Sequence, residues 1–548
     1  MDLPAGHNTY SFDGFLERLN RFDFYRDDPF FARALAHFVG EGFAGLDARL
    51  KAFSPKVSFR WRAVVERIAR PELHPGVEHF DAHNHRTDRI MRPAEAERLE
   101  AEIFGEGLFA ERTTPWERLA KRYLLHQLGE FGIMCPIACT EGLVALIAQF
   151  KAQAQPEVLK ILEHCTEGGS EGYGIGAQFM SEIQGGSDIP ANLLEAVPEG
   201  DRYRLYGTKF FCSAVHADYA VVTARVRGSR KIGAFVVPAW LPGDKPRGVR
   251  NGHVINRLKR KLGTAELPTA EVSYSGALAY AVGPTDQGVA NTVGIVLTLS
   301  RLAVGIASAA AMTRAAREAR MYSEFRQAFG KPICHYPLVN LQVRELVRAA
   351  QRTTAAACKI FRLYADLGCR LQAGLFGDEG PQMQLKRFAL RELILIQKLV
   401  TAHEAVDAIR KSMSIFGGHG AIEDFSSLPR LYRDAAVNEL WEGPRNVLLM
   451  QASRDFARML KAAAPFDVLA TILDGAPPEV VGPLAAELAD LANAAWHEGF
   501  DPRSLQRAAA WEDFVVRLFA AYQDQALTEV GAAPIVSPAL SSLPEVWL

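Results

Sequence analysis

Helix-forming and strand-forming signals are segregated into blocks along this chain, and that segregation constrains the fold more than any single motif. Residues 1–168 carry helical patterning. Phe12 to Phe43 holds eight phenylalanines in broken amphipathic spacing, and Leu119 to Phe150 is a second helical stretch with few breakers. Over 169–282 the pattern turns strand-like and glycine-punctuated. Tyr203–Phe211 alternates around Gly207, Tyr219–Val226 is rich in β-branched residues, and Ile232–Pro238 is a short apolar run. Helical periodicity returns over 283–462. There Leu399, Ala402, Val406, Ile409, Met413 and Phe416 form one apolar stripe, and Gly417-Gly418 supplies a stop. Residues 463–548 form an extension with helical stretches at 483–497 and 505–527. A doubly wound parallel sheet needs strands and helices in alternation, so this order excludes it. The expected class is mainly α with a central β domain.

Composition narrows the partners. The 548 residues are 49% hydrophobic and 23% charged, enough to build a substantial core. Sixty-two basic against sixty-three acidic residues give no overall electrostatic case for nucleic acid or an anionic membrane. Residues 465–548 hold twelve acids against three arginines, Arg503, Arg507 and Arg517, and that net charge of −9 repels phosphate. Seven scattered cysteines suit reduced thiols in a cytosol, and Cys135 and Cys139 read as buried structural thiols. Met1 to Gly14 lacks the charged and apolar regions of a signal peptide. The most apolar run, Thr292 to Met312, is interrupted by Arg301, short of the ~18 residues a span requires. A cytoplasmic protein without a membrane partner is expected. His74, Glu78, His79, Asp81, His83 and His85 are ligand types, but they lie close in sequence with no partner cluster, so no metal site is expected. Lys259-Arg260-Lys261 reads as a solvated loop or a contact to a ligand phosphate.

Four segments carry chemistry. Phe179-Met-Ser-Glu-Ile-Gln-Gly-Gly-Ser-Asp188 joins the first helical block to the β block, and its glycines and hydroxyls allow close approach to a phosphate. Lys209-Phe-Phe-Cys-Ser213 ends a strand, Arg326-Gln-Ala-Phe-Gly330 follows a helix, and Ile415-Phe-Gly-Gly-His-Gly420 precedes Arg433-Asp434 and Trp441-Glu-Gly-Pro-Arg-Asn446. In this order and spacing the segments resemble the flavin-binding and catalytic motifs of the acyl-CoA dehydrogenase family. The resemblance covers about residues 100–460. Leu428-Pro-Arg-Leu-Tyr-Arg433 and the extension look most like the subgroup of the bacterial alkylation-response flavoprotein.

The resemblance implies a fold of N-terminal helical domain, middle β-barrel domain and C-terminal helical bundle, here with an acidic helical extension. It implies FAD as cofactor, cradled by Phe179, Ser181, Gly186 and Ser187 and by the strand bearing Phe211 and Ser213. Arg326, Phe329, Ser414 and Gly418 are implied to reach a neighbouring subunit's FAD, so a homo-oligomer, tetramer or dimer, is expected; Asn446 is a further cofactor contact. The acyl-CoA substrate is implied to lie against Ser187, Glu442 and Gly443. A thioester α-proton needs a positioned base, and the resemblance gives that role to Glu442, with Arg301 shaping the field around it and electrons passing to an electron-transferring flavoprotein. The family's other base position reads Ser300 here. Pro444 and Asn446 replace the commoner threonine and glutamine, Ile183 a proline, and Gly263-Thr-Ala-Glu266 lacks an arginine after its Leu-Gly. Two alternatives stand beside dehydrogenation: an acyl-CoA oxidase or nitroalkane oxidase-like flavoenzyme, and a non-catalytic flavoprotein of the alkylation-response type.

Overall fold

Five of the seven strands between residues 176 and 281 close on themselves in the computed structural model, which describes residues 10–531 apart from 171, 372–373, 375–376, 378 and 493–498. The seven are β1 (Gly176–Phe179), β2 (Glu195–Glu199), β3 (Arg202–Ser213), β4 (Tyr219–Val226), β5 (Ile232–Pro238), β6 (His253–Leu258) and β7 (Thr269–Ala281). Strand β4 pairs antiparallel with β5, β5 with β7, β7 with β3 and β3 with β2, and β2 returns parallel to the end of β4. Closure leaves that ring without an edge. Strand β1 lies parallel to the first half of β4, and β6 covers β7. Val222 and Ala224, Phe235 and Val237, and Ala277 and Ala279 each differ by two residues, so each pair faces one side, and all six share the barrel core.

The helices gather around one long central pair. Helix α1 (Phe131–Gln149) packs on β1 so closely that a Cβ at Gly176 would lie 2.9 Å from Thr140 Cα. Beyond the barrel come α2 (Thr298–Phe325), α3 (Pro337–Asp366), α4 (Pro381–Phe416), α5 (Leu428–Leu440) and α6 (Arg445–Met459). Helices α2 and α4 meet at Gly305, where any Cβ would collide with Gln397. Leu399, Ala402, Ile409 and Phe416 of the expected stripe are buried, and α4 stops at Gly417, whose φ of 60° suits glycine. Contrary to the sequence expectation, two helices are long and apolar enough to cross a membrane, Phe131–Gln149 and Gly288–Phe325. The fold explains their composition: 72% and 89% of their most apolar windows are buried inside the protein, and a helix surrounded by others is apolar all round.

The first block is not wholly helical, because Gly76–Phe80 and Arg86–Met91 pair as an antiparallel hairpin. The histidine-rich run is its turn. Asp81 Oδ1 accepts the backbone N–H of His83 (2.8 Å) and His85 (2.9 Å), and Asn84 takes φ 64°. His79 Nδ1 meets Asp88 at 2.6 Å, and among the described residues no group of three or more His, Cys, Asp or Glu is placed to hold a metal.

In the extension, α7 (Pro478–Ala492) and α8 (Pro502–Glu529) stand where helical stretches are expected, residues 493–497 of the first lying outside the described ones. Helix α8 docks along α3, with Arg352 Nε 3.1 Å from Asp524 and Lys359 Nζ 2.7 Å from Glu529. Trp511, 1% exposed, donates its indole N–H to the Leu449 carbonyl of α6 at 2.9 Å. The acids of this helix therefore meet cations of the bundle in the same chain. Trp511→Ala removes a buried aromatic together with its hydrogen bond to that carbonyl, so urea unfolding followed by far-UV circular dichroism is expected to show a loss of about 3–5 kcal/mol.

Candidate active site

Helix α5 ends at Leu440, Pro444 precedes α6, and Trp441-Glu442-Gly443 is the turn between them. Glu442 has φ 58°, a left-handed conformation that costs a non-glycine residue roughly 1–2 kcal/mol, and Gly443 follows at φ 100°. A side chain at 443 would meet Leu448 Cδ2 at 2.7 Å. Two cations hold the turn by its backbone. Arg301 of α2 donates from Nε to the Glu442 carbonyl at 3.0 Å. Lys398 of α4 donates from Nζ to the Gly443 carbonyl at 2.7 Å and to the Glu439 carbonyl at 3.0 Å. Carbonyls that a helix end leaves without partners are thereby satisfied.

The carboxylate has one anchor. Oε1 accepts from Gln178 Nε2 of β1 at 3.1 Å, and the same amide nitrogen donates to Ser300 Oγ at 3.0 Å. Oε2 is buried with no partner. Removal from water pushes the Glu442 carboxyl up to about 7, while Arg301, Lys398 and the Gln178 hydrogen bond pull it down. Burial lowers Arg301 to about 10 and Lys398 to about 8, so both remain cations at neutral pH. Ser300, where a second base could stand, accepts from Gln178 and carries no acid–base function.

Beside the carboxylate lies a pocket. Phe131, Met134, Ala303, Val304 and Ala307 form its apolar wall, with Gln178, Trp441 and Glu442 among its other lining residues. Its lining suits an apolar group held near the carboxylate.

The barrel presents the flavin-motif residues on a rigid support. Glu182 is buried and anchors its loop by accepting from Lys209 Nζ (2.8 Å) and from the backbone N–H of Leu193 (2.6 Å) and Leu194 (3.1 Å). A Cβ at Gly186 would collide with the Ser181 hydroxyl. The Phe210 N–H donates to the Ser181 carbonyl at 2.9 Å, tying this loop to the end of β3. There Phe211 is 52% exposed, Cys212 points inward, and Ser213 Oγ lies 3.1 Å from Thr269 Oγ1. An exposed ring, two hydroxyls and a glycine that admits no side chain fit a planar hydrogen-bonding cofactor such as FAD. Phe179 is buried in the barrel core, so its side chain belongs to packing, and Ser187 is exposed. Asn446 is exposed at the start of α6, its Oδ1 accepting from the Val447 N–H.

Arg326, Phe329, Ser414 and Gly418 lie elsewhere. Arg326 follows the last residue of α2, 25 positions after Arg301, which at 1.5 Å per residue is roughly 37 Å along the helix. Phe329 is 97% exposed, and Ser414 and Gly418 are exposed at the matching end of α4. These four therefore form no part of the pocket that holds Glu442.

A helical bundle against a closed β domain, with a desolvated glutamate between them, defines a flavin-dependent oxidoreductase of the acyl-CoA dehydrogenase type. Comparison with known proteins agrees. The family described as "Acyl-CoA dehydrogenase, middle domain" matches residues 177–277, and "Acyl-CoA dehydrogenase, C-terminal domain" matches 286–456. Acyl-CoA dehydrogenase family member 11 of Caenorhabditis elegans is 29% identical over 455 residues, 79% of this chain and 70% of the relative. AidB of Escherichia coli is 30% identical over 364 residues, 64% of this chain and 61% of the relative, so the match spans less than two thirds of that protein. In fold, Caenorhabditis elegans ACDH-11 in complex with C11-CoA aligns with TM-score 0.80 at 23% identity, over 97% of this chain and 90% of that one. An acyl-CoA dehydrogenase from Bacillus anthracis complexed with FAD aligns with TM-score 0.63 at 15% identity, over 93% and 81%. The chain belongs to the acyl-CoA dehydrogenase family.

Sequence reasoning reached Glu442 and Arg301 but missed Gln178 and Lys398. Gln178 sits on a four-residue strand, where the inward period of two is too short to read. Lys398 interrupts the apolar run Leu393–Val400, and a buried lysine there signals a nearby carbonyl or acid. Lys398→Met removes a cation that favours the ionised base. The acidic limb of the pH profile for kcat/KM is expected to move up by roughly one pH unit.

Proposed function

We propose that this protein oxidises an acyl-CoA thioester to the trans-2-enoyl-CoA, with Glu442 as the base. The observation that carries this reading is the Glu442 carboxylate itself: one oxygen held by Gln178, the other open, in a pocket where its pKa is about 7. A base near the working pH is ionised often enough to act and basic enough to take a carbon-bound proton. Glu442 removes the α-proton, and its backbone N–H polarises the thioester carbonyl as enolate charge develops. Arg301 and Lys398 fix the turn, and Phe131 and Met134 help exclude water. Bound FAD supplies the acceptor for the β-hydride. Ser181, Phe211 and Ser213 are assigned to hold it, with an electron-transferring flavoprotein as the onward acceptor.

The remote set, Arg326, Phe329, Ser414 and Gly418, is assigned to a second copy's cofactor. Its exposure and its distance from Glu442 support that reading, and a homo-oligomer follows from it.

Purified holoenzyme is expected to lose its flavin absorbance on anaerobic mixing with a matching acyl-CoA, and Glu442→Gln to abolish the change. A FAD-loaded wild type bleached by no thioester refutes the proposal and leaves a flavoprotein without this activity. Stoichiometric peroxide during aerobic turnover would place the protein with the oxidases instead. With wild type, kcat/KM is expected to fall as pH drops below about 7, where Glu442 takes up its proton.

Stability supplies an independent check. The folded-state pKa of Glu442 lies above the ordinary 4.5, so the folded protein binds this proton more tightly than the unfolded chain. Its contribution is lost as pH rises from about 4.5 to about 7. Glu442→Gln is therefore expected to raise Tm relative to wild type at pH ~8, with the difference gone at pH ~4.

A further inference from the structure

The pocket beside Glu442 is apolar in bulk yet holds an unusual number of unsatisfied polar atoms. His126 Nδ1, Gln178 Oε1, Asn438 Oδ1, Trp441 Nε1 and Glu442 Oε2 are all buried without a hydrogen-bond partner, and all five residues line this one pocket. Glu442 Oε2 is explained by the proposed proton abstraction; the other four are not. His126 and Asn438 are 6% and 3% exposed, so bulk water does not serve them. Burial pushes the His126 imidazole down to about 3, and Arg122 adds to the shift, so the ring is neutral and its Nδ1 can pair in either tautomer. The Phe131 ring centroid lies 5.7 Å from that of Trp441 and 6.1 Å from that of His126, so both polar rings border the same aromatic side chain.

A straight alkyl chain filling this space would bury these atoms against methylenes and leave each unpaired, which is costly. Their chemistry also states what would satisfy them. Trp441 offers a donor, Gln178 and Asn438 offer acceptors, and His126 offers either. A hydroxyl, with one donor and two acceptor sites, matches three of them: it can donate to Asn438 Oδ1 while accepting from Trp441 Nε1 and from an Nδ1-protonated His126. A carboxylate does not, because no lysine or arginine lines the pocket: Arg301 and Lys398 are turned to backbone carbonyls.

Resting on the dehydrogenation reading above, we propose that the substrate is an oxygenated acyl-CoA, whose acyl chain carries an uncharged hydroxyl beyond the β-carbon, recognised by His126, Asn438 and Trp441.

Binding and chemistry are tested apart. Glu442→Gln holoenzyme, which retains the pocket shape, is titrated calorimetrically with hexanoyl-CoA and with hexanoyl-CoA hydroxylated at carbon four, five or six. At least one hydroxylated compound is expected to bind roughly tenfold or more tightly than the plain chain. In the Glu442→Gln background, His126→Phe and Asn438→Leu should each bring that ratio toward one, while hexanoyl-CoA binds no more weakly. Equal binding of all four compounds, or binding of none, overturns the proposal. Bleaching of the wild-type flavin by the same compounds reports on turnover alone. A retained hydroxyl preference without bleaching supports the pocket assignment and defeats dehydrogenation; bleaching by plain and hydroxylated chains with equal affinity does the reverse.

Discussion

Two buried cations bonded to backbone carbonyls, rather than to the carboxylate beside them, are the constraint on which this site depends. Arg301 and Lys398 hold the carbonyls of residues 439, 442 and 443. Had either formed a direct ion pair with the Glu442 side chain, the pair would have pulled the acid far below neutral and made it a poor base. Had neither been present, a carboxylate in this enclosure would stay protonated well above neutral pH. The arrangement fixes the left-handed turn and leaves a moderated positive field, so desolvation outweighs attraction only in part and the acid sits near 7. Position and proton affinity of the Glu442 carboxylate thus come from the same two side chains.

Much of this was legible in the sequence, unevenly and for physical reasons. Segregated periodicities were enough to separate barrel from bundle, because closed antiparallel strands and long packed helices leave different apolar periods. The stripe on α4 and its glycine stop were equally readable. Glu442 was found only because it lies in a contiguous motif. Gln178 contacts it across 264 positions of chain and Lys398 holds the Gly443 carbonyl beside it across 45, and such contacts have no local signature. The apolar run around Arg301 was read as too short to span, whereas its helix is long enough: hydropathy registers how buried a helix is and cannot distinguish lipid from neighbouring helices. The hairpin at 76–91 was missed because its turn is built from histidines, an asparagine and an aspartate whose side chain bonds the backbone, and composition alone reads these as a ligand cluster.

The extension shows charge being used locally. Read as a sum, twelve acids against three arginines describe a surface that repels polyanions. In the fold, Asp524 and Glu529 face Arg352 and Lys359 of α3, and Trp511 fills the space against α6. Pairs exposed to solvent contribute little by themselves, so the buried aromatic ring supplies adhesion and the charges set register. Net charge described what this segment avoids, and the packing shows what it holds.

Helices α2 and α4 connect the two halves of the cofactor arrangement. Helix α2 begins near the Glu442 turn, through Arg301, α4 passes it in mid-helix, through Lys398, and each ends at the remote set, through Arg326 and through Ser414 and Gly418. The pair is tied at both ends. Gly305 admits Gln397 into direct backbone contact near the base, and at the far end Tyr322 stacks on Phe416 with ring centroids 4.1 Å apart while its hydroxyl meets His419 Nδ1 at 2.8 Å. Close-packed helices move as units, since voids that would let them slide are absent from such interfaces. Under the proposed assembly, a second copy's cofactor at the remote end would rest on the same packed pair that positions the Glu442 turn.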